Sequence, residues 1–205
     1  MNGLYVIVDP EHCAGRDPSV VAEQALRGGA AVLQLRAKRL SDANKLALAR
    51  DLRARCTRHG AAFWVNDRLD IALLAEADGL HLGQDDLPPS EARKLAPRLA
   101  LAMSTHSPDQ VRAALDQGIT TIGFGPIFTT HSKEHPSPSV GLQGLRAVCA
   151  AHPGLDVIAI GGIQQLHAAE IAAAGARYAA VISAVCGAPD PEAAARALSS
   201  ALAQR

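Results

Sequence analysis

The residues in this chain best suited to chemistry come in short clusters, each directly behind a brief apolar run. Asp67 stands in Asn66-Asp67-Arg68, and Asp85 and Asp86 close the run His81-Leu82-Gly83-Gln84. Carboxylates at neighbouring strand ends can share a hard cation such as Mg²⁺, which keeps water and phosphate oxygens among its ligands. The same residue types also serve as helix N-caps, Asp67 ahead of RLDIALLAEA and Asp86 ahead of the segment after Pro88. On residue type alone, capping is the commoner role. Gln34, Arg36 and Lys38 recur at every second position, so in an extended chain they face one way. Two cations on one face suit a phosphate or diphosphate, although solvated charges leading into a helix read equally well.

Further along, Ser104-Thr105-His106 follows an apolar run, and a lone histidine there is more often hydrogen-bonded structure than catalyst. The longest irregular stretch is GPIFTTHSKEHPSPSVGL. Its Pro, Ser and Thr content argues against a helix, and Thr130, Ser132 and Lys133 could donate to an anion there, although an ordinary exposed loop reads as well. From Pro126 to Val140 this loop is expected to move when empty and to order around its ligands. The pair Gly161-Gly162 lets backbone N–H groups approach a ligand, though it could be only a tight turn, and Ile182-Ser183-Ala184 ends the last apolar run with a hydroxyl. Helix N-termini attract anions through unpaired donors and the dipole, so these last two turns form a candidate phosphate site.

These clusters need a frame that brings strand ends together. Apolar runs at Leu4-Val8, Ala31-Leu35, Ala62-Val65, Gly79-Leu82, Ala100-Ser104, Thr121-Phe124, Asp156-Ile160 and Tyr178-Ile182 read as strands buried on both faces. Between them lie helical segments such as Pro18-Arg27, Ser41-Arg58, Pro108-Gln117 and Leu166-Ala174. A weak repeat, ALRGGAAV, AEADGLHL, LDQGITTI and AAAGARYA, places Gly where each helix should stop before a strand. The expectation is one α/β domain over residues 1–205, a (β/α)₈ TIM barrel, whose functional groups gather at the strand C-termini. An open doubly wound sheet is the alternative, but DPEHCAGRDP at the first strand-helix junction lacks a GxGxxG turn.

Composition narrows the function. With 20 acidic and 20 basic residues there is no net charge to draw the molecule to nucleic acid or an anionic membrane. Aromatics make up 3% and are scattered, so no base-stacking platform is expected. Cys13, Cys56, Cys149 and Cys186 lack zinc-ligand spacing and read as reduced packing residues. The opening MNGLYVIVDPEH does not resemble a signal peptide, and no run approaches a membrane span. A cytoplasmic enzyme for small phosphorylated molecules is expected; a homo-oligomer is compatible with this, though no motif specifies one.

QLRAK, WVNDRLDIAL, DGLHLGQDDLP, MSTHS, GFGPIF with its TTHSK extension, AIGGI and VISAV together resemble the motifs of the thiamine phosphate synthase family, in order and spacing, over nearly the whole chain. The resemblance implies a (β/α)₈ transferase of thiamine biosynthesis, joining hydroxymethylpyrimidine diphosphate to thiazole phosphate with release of pyrophosphate. It implies that Gln34, Arg36, Lys38, Asn66, Ser104 and Lys133 hold the pyrimidine diphosphate, with Arg36, Lys38, Ser104 and Lys133 carrying the catalysis. Asp67 and Asp86 match Mg²⁺ ligands, leaving Asp85 aside. Thr130, His131, Ser132, Gly162, Ile182 and Ser183 match the thiazole-phosphate segment. Ala37 departs from the family's usual Glu or Asp, Thr129 from a common Pro, and His131 occupies a variable position. Thiazole tautomerase, a related barrel that could use His106 as acid or base, needs no carboxylate pair. A non-catalytic phosphate-binding barrel is the remaining alternative.

Overall fold

Alternation along each strand decides the architecture. In the computed structural model, which describes residues 3–130 and 138–203, Leu4, Val6 and Val8 face one way and Tyr5 and Ile7 the other, and both sets are buried. A strand covered on both sides belongs in a parallel sheet wrapped by helices. The strands are β1 (Gly3–Val8), β2 (Ala30–Leu35), β3 (Ala62–Asn66), β4 (Gly79–Leu82), β5 (Ala100–Thr105), β6 (Thr121–Phe124), β7 (Asp156–Ile160) and β8 (Tyr178–Val181). All pair in parallel with their sequence neighbours, and β8 returns to β1, so the sheet is a closed barrel. The open-sheet alternative is excluded.

The helices outside are α1 (Pro18–Arg27), α2 (Asp42–His59), α3 (Leu69–Leu74), α4 (Pro89–Leu95), α5 (Pro108–Asp116), α6 (Gly141–Ala151), α7 (Ala168–Ala173), the single turn α8 (Ser183–Cys186) and α9 (Pro191–Ala203). One large core lies between sheet and helices, with Leu33, Phe63, Leu80, Ile122 and Phe124 among its members. A smaller one fills the barrel with Tyr5, Ile7, Val32, Ile158 and Ala180. No helix among the described residues is long and apolar enough to cross a membrane.

Strand positions agree with expectation to within a residue at each end, and two details differ. Ile182, expected in the last strand, leaves the sheet to become the N-cap of α8. The segment expected as one helix from Leu166 begins as a 3₁₀ turn, Gln165–His167, before α7. The repeat of glycine stops holds at Gly29, Gly118 and Gly175, all at positive φ. It fails at Gly79, which lies inside β4, where an added Cβ would come within 2.5 Å of the Trp64 indole. Glu76, with φ +52, makes the left-handed turn after α3 in its place.

Candidate active site

Strand period two carries the β1 and β2 inner faces to the barrel mouth. Tyr5 and Ile7 lead to Asp9, and Val32 and Gln34 lead to Arg36. Asp9 is fully buried and its carboxylate pairs with Arg36 Nη1. The other oxygen accepts the Glu11 N–H at 3.1 Å and caps a 3₁₀ turn, Pro10–His12. Asp9 thus fixes Arg36 at the mouth. Sequence reading missed it by treating its junction only as a possible dinucleotide turn, although the same alternation that nominated Arg36 runs through Asp9.

Asp67 directly follows β3, and its Arg68 neighbour is the N-cap of α3 without any side-chain capping bond. The capping reading of Asp67 is therefore wrong. Its φ of +63 belongs to the left-handed region, which aspartate enters more readily than most residues. Asp86 does not cap α4 either: the N-cap there is Pro88, and Asp86 Oδ2 accepts the Gly83 N–H at 2.6 Å. This hydrogen bond turns Asp86 toward β4 and leaves Asp85 exposed. The carboxyls of Asp67 and Asp86 meet. Burial, then the hydrogen bond and negative charge of Asp86, push Asp67 up to about 6, against the pull of Lys38 and Arg36. Lys38 Nζ lies 3.6 Å from Asp67 Oδ2. Asn66 and Asp67 line one cavity with Lys38 and Arg68.

Two carboxyls pressed together beside Lys38 and Arg36 are a donor set for a hard divalent cation. Oxygen ligands suit Mg²⁺, which characteristically takes one or two carboxylates and completes its shell with water and substrate phosphate. No cluster of three or more potential ligands occurs among the described residues. The residues present therefore fit a cation shared with a phosphorylated ligand rather than an all-protein cage.

The floor between these walls is polar. Gln34 is buried, and its Nε2 donates to Tyr5 Oη at 2.8 Å. Burial pushes the Tyr5 phenol far above its ordinary value, so it stays neutral. Ser104, on the inner face of β5, lies 2.9 Å from Nε2 of the buried His81. Its backbone carbonyl accepts Gln84 Nε2 at 2.6 Å. Sequence reading did not single out His81, although strand period two places it opposite the outward Leu80 and Leu82. Its ring has room because the facing residue is glycine: a Cβ on Gly123 would sit 2.9 Å from His81 Cε1.

Across the mouth, a cavity is lined by Thr130, Gly162, Ile182 and Ser183, together with His106 and Gln164. Gly162 has φ +62, and an added Cβ would stand 2.4 Å from the Thr129 carbonyl. The glycine is required by the close approach of the chain after β6. That chain is pinned by hydrogen bonds from Ile127 N to Ile160 O at 2.8 Å and from Phe128 N to Gly161 O at 3.0 Å. His106 Nδ1 donates to the Gly125 carbonyl at 2.5 Å, which leaves Nε2 as the nitrogen without the proton when the ring is neutral. Ser183 opens the single turn α8 and lines the cavity, while the Val185 and Cys186 N–H groups turn back to the Ile182 carbonyl at 3.2 and 2.8 Å. His131, Ser132 and Lys133, and with them residues 131–137 of the loop expected to move, lie outside the described residues.

The two walls thus collect Arg36, Lys38, Asn66, Asp67 and Asp86 on one side and Thr130, Gly162, Ile182 and Ser183 on the other. Residues 4–185 match the sequence profile of thiamine monophosphate synthase. A thiamine-phosphate synthase of Methanospirillum hungatei is 44% identical over 195 residues, covering 95% of this chain and 94% of that one. One of Anaeromyxobacter dehalogenans is 46% identical over 202 residues, covering 98% and 88%. Among solved structures, thiamine phosphate pyrophosphorylase from Pyrococcus furiosus superposes with a TM-score of 0.90 at 34% identity, covering 98% of this chain and 95% of that one.

Proposed function

The chain belongs to the thiamine monophosphate synthase family, and we propose that it joins hydroxymethylpyrimidine diphosphate to thiazole phosphate, giving thiamine phosphate and pyrophosphate. The observation that carries this reading is the meeting of Asp67 and Asp86 beside Lys38 and Asn66, opposite a second anion-suited cavity. One wall suits a diphosphate with its cation, the other a monophosphate. Thiazole tautomerase has no use for the carboxylate pair.

Asp67 and Asp86 would hold Mg²⁺, and the ion would supply positive charge against the departing pyrophosphate. Arg36, oriented by Asp9, and Lys38 bind the diphosphate and add to that charge; Lys133 matches the same role. As the pyrimidine methyl carbon loses its oxygen, negative charge accumulates on pyrophosphate. Fixed cations favour that change over the ground state. The carbon is then bonded by the thiazole nitrogen, which brings its own electron pair, so the reaction calls for no protein nucleophile. Ser104 contacts the pyrimidine diphosphate, with His81 holding its hydroxyl in place. Thr130, Gly162, Ile182 and Ser183, with His131 and Ser132, hold the thiazole phosphate so that its nitrogen faces the reacting carbon. Both substrates are small soluble phosphates, which supports work in the cytoplasm.

Incubating the purified protein with both precursors, with and without Mg²⁺, tests the proposal. Thiamine phosphate and pyrophosphate should form in equal amounts only when the metal is added. Failure to form either product under both conditions would reject the assignment.

A further inference from the structure

The buried stripe of α2 is Lys45, Ala49, Leu52 and Cys56, at the spacing of one helix face. Three of these suit a stripe that packs on strands. Lys45 does not: an ammonium group at such a position loses hydration, and packing alone does not offset that loss. Only 11% of its side chain is exposed. Its one acidic neighbour among the described residues is Asp42, with Nζ to Oδ1 at 3.6 Å, too long for a hydrogen bond. That oxygen already accepts Arg68 Nη1 at 2.6 Å, and Asp42 is itself 68% exposed. Lys45 lines the cavity that also holds Ala37, Lys38, Asn66 and Asp67.

The other cations around this wall already have counter-charges. Arg36 is paired with Asp9, Lys38 with Asp67, and Arg68 with Asp42 and Asp70. A divalent ion shared by Asp67 and Asp86 would take up both carboxylates and release Lys38, and a bound diphosphate carries more negative charge than Lys38 alone offsets. Ala37 contributes to the balance. Its methyl group lines the same cavity as Lys45 and brings no negative charge to offset the ammonium.

We infer that Lys45 is a further diphosphate-binding residue of this protein, a cation reaching from α2 into the wall formed by Lys38, Asn66 and Asp67. The inference rests on the diphosphate reading proposed above. Its energetic sense is that burial keeps the charge from water until a more highly charged anion arrives, when the low local dielectric strengthens the attraction.

Titration calorimetry of the full chain with inorganic pyrophosphate in the presence of MgCl₂ tests it, with inorganic phosphate as the probe for the opposite cavity. Lys45→Met keeps the length of the side chain and removes the charge. Pyrophosphate binding should weaken about tenfold or more, as for loss of one charge-assisted contact, with phosphate binding unchanged. The melting temperature should hold or rise, because an apolar group replaces a buried charge. Lys45→Arg should recover most of the affinity. Wild-type affinity for pyrophosphate in Lys45→Met would overturn the inference, as would a lowered melting temperature with both anions weakened alike, which marks a packing role. If the wild-type protein itself takes up no pyrophosphate, the proposed function fails, and that outcome is distinct from the failure of Lys45 alone.

Discussion

Asp67 occupies a strained backbone position, φ +63, from which its carboxyl meets Asp86 instead of capping α3. Such a conformation costs a non-glycine residue of order 1 kcal/mol, and aspartate and asparagine tolerate it best. Asp67→Asn should therefore keep the turn while ending the confrontation of two carboxyls. Its melting temperature without metal should hold or rise. Turnover should fall roughly a hundredfold or more, since several kcal/mol of leaving-group stabilisation are at stake and each ~1.4 kcal/mol is a factor of ten. Asp86→Asn should lose turnover similarly. Steady-state kinetics alongside thermal melts decide it: preserved turnover with lost stability would restore a structural role for these residues. The site carboxylates were nameable from residue type, but their role was not, because the same letters describe a cap. Asp9 was harder still, since its importance lies in a contact with Arg36 from a different strand, 27 positions away.

At the level of elements, apolar runs marked all eight strands because parallel strands in a barrel are covered on both sides. The glycine stops were only partly legible. Gly79 looks like a helix terminator in sequence but serves the Trp64 ring, a cross-strand contact that no local pattern contains. Gly162 was read as opening the backbone to a ligand; what no local pattern contained is that its hydrogen also faces the Thr129 carbonyl. Gly162→Ala should push the segment carrying Thr130 off its hydrogen bonds, weakening thiazole phosphate about tenfold or more while sparing pyrophosphate. Calorimetry with each ligand checks this; equal weakening of both would refute it. Between helices, Glu23 of α1 accepts from His59 at 3.0 Å and Arg55 at 3.1 Å on α2. The His59 hydrogen bond, followed by Arg55 against some burial, holds Glu23 below its ordinary value. A lowered carboxyl stabilises the fold above the unfolded-state value and loses that contribution as pH falls through the folded one. Glu23→Gln should thus cost about 1 kcal/mol or less at pH 7. The difference from wild type should vanish in melts well below pH ~4. A constant difference across that range would show that the network contributes by packing instead of charge.

For the whole molecule, barrel closure sets the two proposed anion sites on opposite walls. In a ring of eight strands, β3 and β4, which present Asp67 and Asp86, stand across the axis from β7 and β8, which present Gly162 and Ser183. Ser104 on β5 lies between them, 2.9 Å from His81 Nε2 of β4, so on the proposed reading the pyrimidine carbon and the thiazole nitrogen would be brought together over the barrel axis from opposite sides. The chain has no net charge to steer anions, so capture must depend on these local groups. Their physical means differ. On the proposed reading the β3–β4 wall sets Lys38 beside two carboxylates that would repel a diphosphate until a cation joined them, whereas the β7–β8 wall offers backbone and hydroxyl groups that would hold a monophosphate without metal. Chelating divalent cations should therefore abolish pyrophosphate binding and leave thiazole phosphate binding close to its value with Mg²⁺. Calorimetry with each ligand in EDTA and in MgCl₂ measures both. Equal dependence of the two ligands on metal would mean that one site orders the other, and the independence of the walls would have to be given up.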